Sequence, residues 1–158
     1  MERGHGPLPT TEELRIWRDF IETTERLRSH LTSRLHVDSA LSPGDYAVLL
    51  ALHEADGHRL RSSDLAVAIG WERSRLSHHL GRMERRGLIR RVECTTDSRG
   101  AEAVLTDDGA RAFRRATLPH LSAVREMFVD ALTPEQTAAA GEIAQALRGR
   151  LDAASGPR

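Results

Sequence analysis

The hydrophobic period of this chain changes at Gly87 and changes back at Thr106, and that switch constrains the fold more than any other feature. Before it, Ser62 or Ser63 is placed to cap a short helix carrying Leu65, Ala66 and Ile69, ended by Gly70. Trp71 opens a tight connection to a second helix over about 73–86, with Leu76, Leu80 and Met83 on one face and Gly87 as terminator. Two short helices joined around a glycine make a helix-turn-helix. Leu88–Glu93 and Ala101–Leu105 then read as strands around the polar turn Thr95–Gly100, so a β-hairpin directly follows the second helix.

The flanks are helical. From Thr10 or Thr11, Leu14, Trp17, Phe20, Ile21, Leu27, Leu31 and Leu35 recur at helical spacing. Ser42 caps the next helix, with Pro43 in its first position, Asp45 reaching back, and an end near Asp56–Gly57. Thr106 caps a long helix bearing Phe113, Leu121, Val124 and Phe128, in which Pro119 predicts a kink. Thr133 and Gln136 form a capping box for the last helix, apolar at Ala139, Ile143 and Leu147. The long terminal helices carry more apolar surface than so small a lobe can cover, which points to a two-fold dimer. The expected architecture is mainly α with a small β-hairpin wing, a winged helix-turn-helix flanked by dimerisation helices. Its parts are a disordered segment 1–9, an N-terminal dimerisation helix 10–37, a lobe 38–105 with its wing about 88–105, C-terminal dimerisation helices 106–151, and a frayed tail 152–158.

Charge is distributed to match. The chain has 158 residues, 23 basic and 23 acidic, and no net charge. Residues 59–99, however, hold ten Arg against five acids, while 1–58 hold six against ten and 100–158 seven against eight. A basic centre of +5 between acidic flanks is the footprint of a phosphate-bearing partner, and double-stranded DNA fits it. A lone cysteine, Cys94, excludes an internal disulfide framework. No apolar run approaches the roughly 18 residues of a membrane span, and MERGHGPLPT lacks the apolar core of a secretion signal, so a cytoplasmic location is expected.

A helix that reads base edges presents short polar and basic side chains from its N-terminal half and keeps its other face in the core. With Leu76, Leu80 and Met83 inward, Arg73, Ser74, Arg75, Ser77 and His78 lie outward, and Arg82 extends that side by a turn. Arg75 is the candidate for bidentate guanine reading, worth about 1–3 kcal/mol of discrimination, whereas Ser74 and Ser77 suit phosphates. At the hairpin tip, Arg99 is placed to enter a minor groove, with Asp97 bracing the turn.

These residues also carry a resemblance. Asp97-x-Arg99 followed by Leu105-Thr106-x-x-Gly109, with Leu80, Met83-Glu84-x-x-Gly87-Leu88-Ile89 and Leu65-Ala66, resembles the MarR family of winged helix-turn-helix regulators over residues 11 to 150. The chain departs from that pattern where Glu72 stands in place of the usual Ser, Thr or Asp cap and Trp71 is bulkier than usual. The resemblance implies an obligate, triangular dimer on a palindromic operator, with a recognition helix in each major groove and a wing in each adjacent minor groove. It implies a repressor of its own or a nearby operon, released by a small aromatic or phenolic effector. The effector pocket would lie between the dimer helices and the DNA-binding lobe. Trp17, Phe20, Thr24 and His30 from the first helix, and Tyr46 and His53 from the second, are candidates for that site, with Arg15, Arg18 or His30 available to a carboxylate.

Other chemistries are less well served. His53-Glu54-Ala55-Asp56-Gly57-His58 misses the zinc-binding H-E-x-x-H spacing by one residue, and the adjacent His78 and His79 point about 100° apart on a helix, so no metal ligand set is assigned. Cys94, near Arg90 and Arg91, would carry a redox response, but it reads better as an incidental thiol. No cofactor is expected. No Ser-His-Asp arrangement, phosphate-cradling loop or paired carboxylate suggests an enzyme. The alternatives are a metal- or redox-responsive regulator of the same fold, and a winged-helix module that binds another protein.

Overall fold

Helix starts in this chain are set locally. The Glu13 amide donates to the Thr10 hydroxyl at 3.2 Å while the Thr10 amide donates to the Glu13 carboxylate at 2.7 Å, opening α1 (Thr11–Ser39). Ser42 and Asp45 repeat the exchange at 3.1 and 2.9 Å to open α2 (Pro43–Glu54), with Pro43 in the first turn, where a missing N–H leaves no bond unmade. Thr133 and Gln136 do so again, at 2.9 and 3.2 Å, ahead of the last helix.

The computed structural model describes residues 8–93 and 101–155. After α2 come a 3-10 turn (Asp56–His58), β1 (Arg59–Arg61), α3 (Ser62–Ala68), α4 (Arg73–Arg85), β2 (Ile89–Glu93), β3 (Ala101–Leu105), α5 (Asp107–Val124), a π-helical turn (Arg125–Val129) and α6 (Pro134–Ser155). The chain divides into two compact units between His120 and Leu121.

In the first unit, Leu35 of α1, Val48, Leu49 and Leu52 of α2, Leu65 of α3, Leu76, Leu80 and Met83 of α4 and Phe113 of α5 pack into one buried cluster. Each such side chain contributes about 1.5–3 kcal/mol by leaving water. The sheet is antiparallel in the order β1–β3–β2, with Leu60 opposite Ala103 and Arg91 opposite the same residue from the other side. In the second unit, Ile143, Leu147 and Leu151 of α6 are 47, 50 and 67% exposed. On α1, in the first unit, Ile16 and Trp17 are 55 and 58% exposed. No helix among the described residues is long and apolar enough to cross a membrane.

The architecture is the expected one, mainly helical with a small antiparallel sheet, and several details differ. The sheet has a third strand: Arg-Leu-Arg at 59–61 is too short to show a period, yet pairs along β3. Neither Ser62 nor Ser63 caps α3. Arg61 holds that position without a side-chain capping bond, and the Ser62 hydroxyl donates instead to the Ala101 carbonyl at 2.9 Å, tying α3 to the start of β3. The start of α5, expected to belong only to a dimerisation segment 106–151, gives Ala112, Phe113 and Ala116 to the lobe's core. The α1 helix runs to Ser39, and α6 runs to Ser155, into the segment expected to fray from 152. A single helix from Thr106 through Phe128 is interrupted by the π-helical turn after Val124.

Candidate nucleic-acid interface

The outward side of α4 is where the sequence placed it. Gly70, at φ 67°, turns the chain out of α3, and the Trp71 amide donates to the Ala66 carbonyl at 2.9 Å. Glu72 then stands at the N-cap of α4 without a side-chain capping bond. Leu76, Leu80 and Met83 are buried, and Arg73, Ser74, Arg75, Ser77, His78 and Arg82 are all exposed. Arg99, Asp97 and Cys94, expected at the hairpin, lie outside the described residues.

The inner side of α4 is more polar than its leucines suggest. His79 is buried beside them, with Nε2 lying 3.1 Å from Oδ1 of Asp45, a close approach whose angle falls short of a hydrogen bond. Arg82 Nη2 lies 2.9 Å from His79 Nδ1. Arg86 donates to Asp45 Oδ2 at 2.7 Å and to the Ala40 carbonyl at 3.0 Å. Burial raises the Asp45 carboxyl, but Arg86 and the Ser42 amide and hydroxyl outweigh it and hold the group below its ordinary value. For His79, burial outweighs the attraction of Asp45, and Arg82 and Arg86 add to it, so the ring loses its proton more readily than usual. A buried carboxylate thus joins the first turn of α2 to the middle of α4 at His79 and to its C-terminal end at Arg86.

Several arginines behind the basic count are spent inside the lobe. Arg86 pairs with Asp45, Arg59 lies 3.6 Å from Glu102, and Arg91 meets Glu84 through both its amide and its guanidinium at 2.8 Å. The last pair fastens α4 to β2, and the Arg91 amide and guanidinium lower the Glu84 carboxyl.

The Leu105-Thr106-x-x-Gly109 segment has a mechanical reading. The Thr106 hydroxyl accepts from the Gly109 amide at 3.0 Å, capping α5, and sits 2.6 Å from the Gly87 carbonyl and 2.9 Å from that of Leu88. Gly109 carries no Cβ, and one there would strike the Leu88 carbonyl. The end of α4, the start of β2 and the start of α5 therefore meet at one hydroxyl and one bare backbone.

A cavity of about 330 Å³ lies between α1, the start of α2 and His120. Of the six ligand candidates, it gathers Thr24 and Tyr46 and leaves out Trp17, Phe20, His30 and His53. Trp17 borders a separate hollow with Pro9, Glu13 and Leu14. Phe20 and His30 are exposed on α1, and His53, two turns along α2 from Tyr46, stacks on His58 at 5.6 Å and meets the Phe113 ring at a tilt, 4.9 Å away. Arg15 is engaged by Glu12 and Asp19 at 2.7 and 3.1 Å, and Arg18 is exposed. The cavity adds Arg28 and His120, which sequence reasoning did not single out. Arg28 lies one turn beyond Thr24, a signal that was present. His120 comes from α5 by tertiary packing, with its ring 4.8 Å from that of Tyr46 and its Nδ1 buried without a partner.

Comparison with known proteins decides the family. Sco3205 from Streptomyces coelicolor, a MarR family transcriptional regulator solved in complex with DNA, is 39% identical, covers 90% of each chain and superposes with a TM-score of 0.86. The chain belongs to the MarR family of transcriptional regulators. AbsC, another MarR regulator from Streptomyces coelicolor, is 38% identical over 91% of this chain and 99% of its own, with a TM-score of 0.83. The MarR family model matches residues 41–100, from the start of α2 to the hairpin. The transcriptional repressor MprA of Escherichia coli is 26% identical over 107 residues, which is 68% of this chain and 60% of that protein. The mainly helical chain with its small antiparallel sheet matches the winged-helix structures of that family.

Proposed function

We propose that this MarR-family chain is a homodimeric, sequence-specific repressor of its own or a nearby operon in the cytoplasm. It sets α4 into successive major grooves of a palindromic site and the hairpin into the flanking minor grooves. The observation that carries this reading is the sidedness of α4: six polar or basic side chains exposed on one side, three apolar ones buried on the other. The likeness to a regulator solved with DNA supports it. In this reading Arg75 reads guanine, Arg73, His78 and Arg82 extend the base- and phosphate-facing edge, Ser74 and Ser77 bond phosphates, and Arg99, braced by Asp97, enters the minor groove. The exposed apolar residues of α1 and α6 supply the dimer surface.

The cavity is the effector site of this reading. Tyr46 offers an aromatic wall, Arg28 a guanidinium for a carboxylate, and the unpartnered His120 nitrogen a polar contact, which suits a small aromatic or phenolic acid. Footprinting on the DNA flanking the gene, with and without a panel of aromatic acids, tests both parts. Protection over a palindrome that is lost with one ligand class is the expected result, and no protection at any flanking site refutes the autoregulated repressor. Sedimentation at micromolar concentration tests the dimer.

A further inference from the structure

Two of the arginines on the exposed side of α4 are held from behind. The Arg75 guanidinium carbon lies 4.0 Å from the centroid of the Trp71 ring. Trp71 in turn meets His79 edge to face, at 5.1 Å and 87°. A Cβ on Gly44 would come within 2.6 Å of the Trp71 ring and 3.0 Å of His79 Cε1, so both rings rest on the bare backbone of α2. On the far side of the same imidazole, Arg82 Nη2 reaches Nδ1 at 2.9 Å. A guanidinium only donates, so Nδ1 carries the lone pair and the neutral ring keeps its proton on Nε2, which faces Asp45.

We propose that Trp71 and His79 are positioning residues for base recognition, fixing the directions of the Arg75 and Arg82 guanidiniums so that side chains which touch no DNA set the sequence preference of α4. The inference rests on the reading of α4 as the DNA-reading helix. Arginine samples many rotamers, and a bidentate contact with a base needs one of them. Stacking on an aromatic face removes much of that freedom before DNA arrives and leaves the in-plane N–H groups available. The hydrogen bond from Arg82 to a locked imidazole does the same two turns later. The bulky Trp71, a departure from the family's pattern, thereby acquires a use.

The test begins with selection of a preferred duplex from a random pool by the wild-type protein. The ratio of affinities for that duplex and a scrambled one is then measured at one salt concentration for variants, with thermal unfolding recorded for each. Trp71→Leu keeps apolar bulk against Gly44 but offers no π face, and is expected to lower the ratio about tenfold. Its affinity for the scrambled duplex and its salt slope stay at wild-type values, because no charge is removed. Trp71→Phe restores most of the ratio. His79→Gln keeps a donor toward Asp45 but removes the acceptor for Arg82, and lowers the ratio. His79→Asn keeps an acceptor near the Nδ1 position and holds it. A wild-type ratio in Trp71→Leu and His79→Gln, or an equal loss on both duplexes, overturns the proposal. If Arg75→Ala relaxes base preference while Trp71→Leu does not, only the positioning role falls. If Arg75→Ala and Arg82→Ala also keep the wild-type ratio, the reading of α4 falls and takes the proposal with it.

Discussion

A side chain on Gly109 has nowhere to go, because its Cβ would overlap the carbonyl oxygen of Leu88. The obstacle is backbone, held in place by the Thr106 hydroxyl, and cannot swing aside as a flexible side chain would. Gly109→Ala is therefore expected to destabilise the chain by about 1–3 kcal/mol although alanine favours helix. Urea unfolding checks it, and a stabilised variant would show that α5 and β2 do not meet as described.

Gly44→Ala makes the same test at the other end of the lobe. The position is helical, so alanine alone would stabilise α2, but its Cβ meets the Trp71 ring at 2.6 Å. A loss of about 1–2 kcal/mol and a shifted Trp71 emission are expected, read in a Trp17→Phe background so that one indole reports. Unchanged emission would mean that Trp71 does not rest on α2.

Asp45→Asn removes a charge that faces Arg86 at 2.7 Å and His79 at 3.1 Å. Arg86 is half in water, so the expected cost is about 2 kcal/mol, below that of a fully buried pair. The sign with pH follows from the lowered Asp45 carboxyl. A group that binds its proton less tightly in the fold adds stability above its unfolded value, near pH 4, and loses it as pH falls through the folded one. Urea midpoints from pH 7 to 3 should fall less steeply in Asp45→Asn than in the wild type.

His79 and His120 act over a higher range. Burial makes both rings release their protons more readily than in the unfolded chain, the first despite Asp45. The unfolded chain then binds more protons below about pH 6.5, so stability declines as pH drops from there toward the folded values. His79→Gln and His120→Gln should each flatten the slope of stability between about pH 6.5 and 5, and the double variant should flatten it further. Titration midpoints of the two rings, measured by NMR, assign the share of each; a midpoint raised above 6.5 in either would reverse its sign.

What the sequence disclosed was local or periodic. Capping boxes sit three residues apart, and Leu76, Leu80 and Met83 keep a helical period, so both were legible. The Ser62 hydroxyl was misread because its partner, the Ala101 carbonyl, is 39 residues away. Arg86 and Asp45 are 41 apart, and nothing in either neighbourhood announces the other. His79, like Arg28, was a missed signal within reach: three residues after Leu76 and four before Met83, it falls on the buried face. Considered as half of a histidine pair, it hid its role as the polar core of α4. The cavity was half legible, since Thr24 and Tyr46 follow helix faces while His120 arrives from another part of the chain.

The third strand ties the paired strands β2 and β3 to α2. Because β3 is bonded on both edges, the base of the wing is coupled not only to α4 through β2 but also, through β1, to the far end of α2. The near end of α2 borders the cavity with Pro43 and Tyr46. One twelve-residue helix thus borders the cavity at its first turn and, through β1, meets the sheet that carries β2 and β3 at its last.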